Sequence, residues 1–298
     1  MAKSSILDDL RLEYHRKILE KILGPRRTKD KKKGKSYYSN ADSGSTASVA
    51  FAERIALKLK ANTGRQPCQS PPKEQTAGTV FAGLTKQFLD DAFDHLHHLR
   101  PGKWIFSTSQ EKGGITKHAQ YEHLADLQAV LEKHPELRAT LGGDYLVVPD
   151  ITIARKPVDD TEINKREDFV SEADQYGRYT PLRARVNTKS ILHASVSCKW
   201  TIRSDRSQNT RTEALNLIRN RKGRVPIVVA VVFEPLPTRI ASIALGTGDL
   251  DCVYHGALEE LREAIEEVGN EDQKEMLDTL VQGRRLRDIS DLPFDLAT

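Results

Sequence analysis

Apolar residues at helical spacing open the chain: Ile6, Leu10, Tyr14, Ile18 and Ile22 share one face of an amphipathic helix over residues 6–23, which Gly24-Pro25 stops. The same spacing predicts a helix from Ala50, with Phe51, Ile55 and Leu59 inward. It also predicts a long core helix from Thr79 to Leu96 carrying Phe81, Leu84, Phe88, Leu89 and Phe93. Another helical stretch runs from Gln120 to Leu141 and ends at Gly142-Gly143. Beyond it the period changes. DYLVVPDITIAR (144–155), ILHASVSCKWTI (191–202) and RVPIVVAVVFEP (224–235) are short and rich in Val and Ile, the composition of buried strands. TRTEALNLIRNRKG (210–223) between the last two reads as a helix, so strand, helix and strand imply a right-handed crossover and parallel pairing. The tail from Ala257 is helical, with Leu258, Leu261 and Ile265 inward beneath an acidic, solvated face. No internal repeat interrupts the pattern, which predicts one α/β domain across residues 1–298.

Composition adds bounds. With 38% hydrophobic and 30% charged residues in 298, the chain has material for a proper core and is globular. Lys plus Arg exceed Asp plus Glu by 46 to 42, so overall charge points only weakly to an anionic partner. Local charge says more: RRTKDKKKGK (26–35) is a basic loop, read either as a solvated surface segment or as one that grips a phosphate backbone. Cys68, Cys198 and Cys252 are far apart, odd in number and without a C-x-x-C pairing, which fits a reducing cytoplasm. No run reaches the ~18 apolar residues of a membrane span and the N-terminus is too charged for a signal peptide, so the expectation is a soluble, cytoplasmic protein. His95, His97 and His98 close the long helix without the i, i+4 pair that holds zinc.

Two of the strands place polar residues where apolar ones would pack more cheaply. Asp150 follows Pro149 in VVPDITI, and Lys199 ends ASVSCK. An acid on one strand and a lysine on its neighbour is how metal-dependent nucleases hold a phosphodiester: the acid binds a divalent cation while the lysine neutralises developing charge. The plainer reading is a buried ion pair, a poor source of stability. Two positions before the lysine, where such nucleases carry Asp or Glu, this chain has Ser197. Another carboxylate is therefore needed, and Glu213, in the first turns of the following helix, is the best candidate. Immediately past Lys199, Arg203, Asp205 and Arg206 are either a surface salt-bridge cluster or readers of base edges. Arginine can donate to guanine O6 and N7, and aspartate can accept from cytosine N4.

At these residues the sequence resembles the tetrameric type II restriction endonucleases that recognise a CCGG core. The resemblance runs through SNAD (39–42), EQTAGTVF (74–81), HLRPGKW (98–104), VPDI (148–151), HASVSCKWTIRSDRSQN (193–209), LNLIRNRKGR (215–224), SIALGTGDLDCVYH (242–255) and RLRDISDLPFDLA (285–297). It implies a restriction-endonuclease-like PD-(D/E)xK fold, a central mixed sheet flanked by helices, together with Mg2+ dependence and a homotetrameric dimer of dimers on double-stranded DNA. It implies Asp150 and the Cys198 carbonyl as metal ligands, Lys199 at the scissile phosphate, and Ser197 with Glu213 completing the site. By the same resemblance Arg203, Asp205 and Arg206 read the inner CCGG, Arg239 and Asp42 read the outer pair, and Gln75 enters the minor groove. The expected site is GCCGGC, a palindrome as a two-fold dimer requires, and a cytosine methyltransferase is the expected partner of such a system. Hydrolysis is expected to leave a 5′-phosphate and a 3′-hydroxyl. One position departs: Ala82 stands where the relatives carry a glutamate after the phenylalanine. That leaves a rival reading as a sequence-specific DNA-binding protein that does not cut. A nuclease with little sequence preference is the weaker rival, against which the Arg-Ser-Asp-Arg cluster argues.

Overall fold

A six-stranded sheet organises the chain in a computed structural model that describes residues 4–28, 34–110, 114–141, 146–173, 175–202 and 204–298. In chain order the helices are α1 (Ile6–Lys21), α2 (Thr46–Thr63), α3 (Glu74–His95), α4 (His123–Lys133), α5 (Pro135–Leu141), α6 (Asp160–Ile163), α7 (Ser204–Arg219), α8 (Pro237–Ala244), α9 (Leu258–Val268), α10 (Glu271–Gln282) and α11 (Leu292–Ala297). A small antiparallel hairpin pairs β1 (Pro25–Arg27) with β2 (Ser36–Tyr38). The large sheet sets β3 (Trp104–Thr108), β4 (Ile151–Arg155), β5 (Ile191–Lys199), β6 (Ile227–Val232), β7 (Cys252–His255) and β8 (Leu286–Asp288) side by side in sequence order. Its first three strands are antiparallel and β5 to β8 run parallel, so the sheet is mixed. This is the expected architecture, with helices against the sheet and β5–α7–β6 as the parallel crossover.

Local chemistry sets the boundaries. Ser5 and Asp8 exchange side-chain bonds with each other's backbone N–H at 3.1 Å and open α1 with a capping box. Gly64, at φ 66°, closes α2 in the left-handed conformation that glycine adopts freely. The helix expected over 120–141 is broken into α4 and α5 at His134-Pro135, because proline disfavours helical backbone in the residue before it. The strand expected from residue 144 begins only at Ile151, since Pro149 has no N–H for a ladder. The helix expected from Thr210 starts at Ser204, where Ser and Asp favour a helix N-terminus. Arg26 and Arg27 of the basic run lie in β1, while residues 29–33 lie outside the description.

Burial follows the pattern. All of β6 except Ile227 is buried, as expected for a central strand. Helix α3 turns Phe81, Leu84, Phe88, Leu89 and Phe93 inward against α1, β3 and β5. Trp200 stacks on Phe233 with centroids 4.9 Å apart and tilts against Phe81 at 5.5 Å, which anchors the chain just past Lys199. Among the described residues no helix is long and apolar enough to cross a membrane.

Candidate active site

A mismatch in strand length makes the site. β4 starts at Ile151, opposite Val196, whereas β5 continues to Lys199. Past Val196 the backbone of β5 therefore has no strand on the β4 side, and the side chain of Asp150 takes the vacated place. Its Oδ2 accepts the Cys198 N–H at 2.7 Å and lies 3.6 Å from Lys199 Nζ. In an extended strand the N–H and C=O of one residue point to the same flank, so the Cys198 carbonyl also faces the Asp150 side. On the other flank Lys199 O accepts from Phe233 N at 3.1 Å, as the alternation requires. The Asp150 backbone is held in turn by Ser109 N, just past β3, at 3.0 Å.

Side chains alternate along β5. Cys198 faces Thr85 of α3, and burial raises its thiol pKa. Ser197 and Lys199 project to the opposite face. Glu213 of α7 lies within the fields of Lys199 and Asp150. Burial raises its pKa; Lys199 opposes that shift and Asp150 adds to it. Ser197 Oγ is buried and has no hydrogen-bond partner among the described residues. Asp150, Lys199, Ser197 and Glu213, named from the sequence, are thus gathered at one end of β5.

Across the cleft α3 presents Gln75, Gly78, Thr79, Ala82 and Gly83 as one helical stripe, and with Asp150, Cys198 and Lys199 they enclose about 560 Å³. A Cβ at Gly78 or Gly83 would meet nothing within 4 Å, so packing does not require these two glycines; they leave the stripe low. Ala82 brings only a methyl group to the position where the resemblance places a carboxylate. Glu74 lines the same cleft but sits more than two turns away, ~12 Å along the helix.

The chemistry of the donor set fits a hard divalent cation: two carboxylates, a backbone carbonyl on the Asp150 flank and an unpartnered hydroxyl are oxygen ligands of the kind Mg2+ takes. The fit is sparse. Among the described residues no three His, Cys, Asp or Glu side chains close on one point.

The expected base-reading residues lie beside this end of the sheet. Arg239 on α8 is ion-paired to Asp42, in the turn after β2, and its Nη1 reaches Ile202 O at 3.4 Å. Asp42 Oδ1 also accepts Gly44 N at 2.9 Å, and its own N–H donates to Ser48 Oγ at 2.9 Å, so the turn is rigidly held. Gln75 is exposed in the first turn of α3 and lines the cleft. Arg203 lies outside the described residues. Asp205 and Arg206 lie in the first turn of α7 rather than on a loop, with their side chains outside the description. Sequence reasoning passed over Glu234, a fully buried carboxylate between β6 and α8 whose pKa burial pushes up to about 7. Its signal was a lone acid ending the run VVAVVFEP.

The family model "NgoMIV restriction enzyme" matches residues 14–298. The type II restriction enzyme NgoMIV of Neisseria gonorrhoeae is 44% identical over 287 residues, 95% of this chain and 96% of that protein. Two solved structures, a PspGI–substrate DNA complex and the type IIF enzyme Bse634I with cognate DNA, are each 13% identical, cover 86% of this chain and 82% and 97% of their own, and align with TM-scores of 0.31 and 0.27. With a family match over nearly the whole chain and a relative similar from end to end, this chain belongs to the NgoMIV restriction enzyme family of type II restriction endonucleases.

Proposed function

We propose that the chain is a Mg2+-dependent endonuclease that cleaves double-stranded DNA at GCCGGC, leaving a 5′-phosphate and a 3′-hydroxyl. The observation that carries this reading is the end of β5, where the Asp150 carboxylate, the Cys198 backbone and the Lys199 ammonium share one unpaired flank. Asp150, Glu213 and the Cys198 carbonyl would hold the cation, which supplies charge neutralisation and a more acidic water. Lys199 places its positive charge where negative charge develops on the phosphate. Ser197, with its unsatisfied hydroxyl, completes the oxygen lining. Arg203, Asp205 and Arg206 read the inner CCGG, Arg239 and Asp42 the outer G·C pair, and Gln75 contacts the minor groove. The Arg239–Asp42 ion pair supports the outer assignment, since one base pair asks for a donor fork and an acceptor side by side.

In this reading residues 1–298 form one domain that works in the cytoplasm as a homotetrameric dimer of dimers, alongside a cytosine methyltransferase that protects the host. The basic run 26–35 adds salt-sensitive, non-specific affinity. Ala82 favours a second reading, a sequence-specific DNA-binding protein that cuts poorly, because the cleft lacks the carboxylate the resemblance places there. Incubating the chain with Mg2+ and a plasmid carrying two GCCGGC sites, then sequencing any ends, separates the two. Cuts confined to GCCGGC are the expected result. An intact plasmid with specific gel-shift binding selects the second reading, in which Ala82→Glu should restore cleavage. Equal binding to random duplex defeats both.

A further inference from the structure

The apolar strand β6 leads into a single carboxylate, Glu234, which is fully buried. Both of its oxygens are committed to backbone. Ile202 N donates to Oε2 at 2.8 Å, and Leu236 N donates to Oε1 at 3.2 Å. Ile202 precedes Arg203 and the first turn of α7. Leu236 is the N-cap of α8, the helix that carries Arg239. One side chain thus joins the two places where the chain enters its candidate base-reading helices. The third reading segment meets the same point: Asn40 Nδ2 donates to Phe233 O at 3.2 Å, and Trp200 Nε1 donates to Ser39 O at 3.2 Å, which holds the turn that carries Asp42.

Burying a carboxylate is costly, and an apolar residue would pack here more cheaply. Among side chains of this size, only an acid offers acceptors at both ends of its fork. Glutamine accepts at one oxygen and turns an NH2 toward the second amide. We propose that Glu234 is a positioning residue for sequence recognition, fixing the spacing between the inner-pair readers at the start of α7 and the outer-pair readers Arg239 and Asp42. This rests on the base-reading roles assigned under Proposed function. Its consequence is that recognition of the inner and outer pairs is mechanically joined, because a shift of either amide away from Glu234 displaces one set of readers relative to the other.

The test uses the full chain without divalent metal, so that binding alone is read. Competition gel shifts compare GCCGGC with ACCGGT, changed at the outer pair, and GCTAGC, changed at the inner pair. Glu234→Gln should lose roughly tenfold of the preference for GCCGGC over both altered duplexes. Leu280→Ala, a core truncation in α10, should lower thermal stability and keep the preference. If Glu234→Gln binds with the original ratios, whatever its melting temperature, the proposal is overturned. Should Glu234→Gln not fold, Glu234→Asp keeps the charge but is one methylene short of spanning both amides, and the same ratio decides. An unsubstituted chain that binds all three duplexes alike overturns the base-reading assignment itself, an outcome distinct from intact discrimination in the variant.

Discussion

The acids gathered around Arg11 and those gathered around Lys199 differ in what is left over. At the edge strand β8 Arg11 forks onto two carboxylates, with Nε and Nη2 on Asp288 at 2.9 Å and Nη1 and Nη2 on Glu260 at 3.0 and 2.8 Å. Asp288 also accepts from Leu258 N at 3.1 Å, Ser290 N at 3.0 Å and Ser290 Oγ at 2.7 Å. Burial alone would raise both carboxyl pKa values, but these bonds and the guanidinium charge outweigh it: both are lowered, and Asp288 falls well below the ordinary carboxylate range. At the cleft the balance is reversed. Among the described residues Asp150 has one N–H and a lysine at 3.6 Å, Ser197 Oγ and Glu213 have no hydrogen bond, and Glu213 is pushed up by burial. A cluster saturated by its own protein is structural. One that retains lone pairs and an ammonium held by a single carboxylate contact among the described residues has capacity for a cation and a phosphate from outside.

Removing the base from each cluster should therefore break different things. Arg11→Met strands two carboxylates whose side chains are only 5% and 10% exposed, and should cost about 3–5 kcal/mol of stability. Chemical denaturation measures it. Acid sharpens the result. Because the folded pKa values are depressed, the stability they contribute is present above the unfolded values and is lost as pH falls through the folded ones. The unsubstituted chain should weaken on acidification through and below the ordinary carboxylate range. Arg11→Met should weaken less there, since protonation relieves its stranded charges. A cluster that tolerated the substitution would not be structural.

Lys199→Ala should do the converse. Loss of one group that stabilises transition-state charge typically costs about 10²–10³ in rate, ~2.7–4 kcal/mol, with specific DNA binding and folding stability nearly unchanged. Single-turnover cleavage and gel shift on the same preparation read both. Parallel loss of binding would place Lys199 with Arg11 as a structural cation. Where the unsubstituted chain does not cut, the comparison is made in the Ala82→Glu background.

How far sequence carried each region follows from the range of the forces involved. β5 and β6 were legible because they are central, and buried strands must be continuously apolar. β7 and β8, CVYH and LRD, are four and three residues long, too short to show a period; β7 forms on the edge of β6 and β8 on the edge of β7. β3 follows the turn Pro101-Gly102 and was hidden by the helix before it. Within the candidate site, Asp150, Lys199 and Glu213 were legible as polar residues near strand ends and on the helix that follows, whereas Ser197 entered only through the resemblance. The strand offset that brings Asp150 to Cys198 was not, since register depends on which residues of two distant segments meet. Glu234 was overlooked for the same reason: its partners, Ile202 and Leu236, become a pair only when α7 and α8 stand together.

The finest test of the contrast is the titration of Glu213. Its folded pKa is raised, so the stability tied to its neutral form is complete below the unfolded value and is lost as pH rises through the folded one. An ionised Glu213 is therefore a strain that a cation can offset, and cation binding must expel any proton it carries. Mg2+ affinity, read by calorimetry or by the rise in melting temperature, should be nearly flat where Glu213 is fully ionised. It should fall by about tenfold per pH unit once Glu213 protonates, one proton being released per ion bound. Glu213→Gln should bind Mg2+ more weakly and lose that part of the slope. Retention of the full slope would show that Glu213 does not release the proton. Glu213 would then be a half-buried acid that senses the cleft without holding its metal, and the cleft would differ from the Arg11 cluster by one unsatisfied carboxylate rather than two.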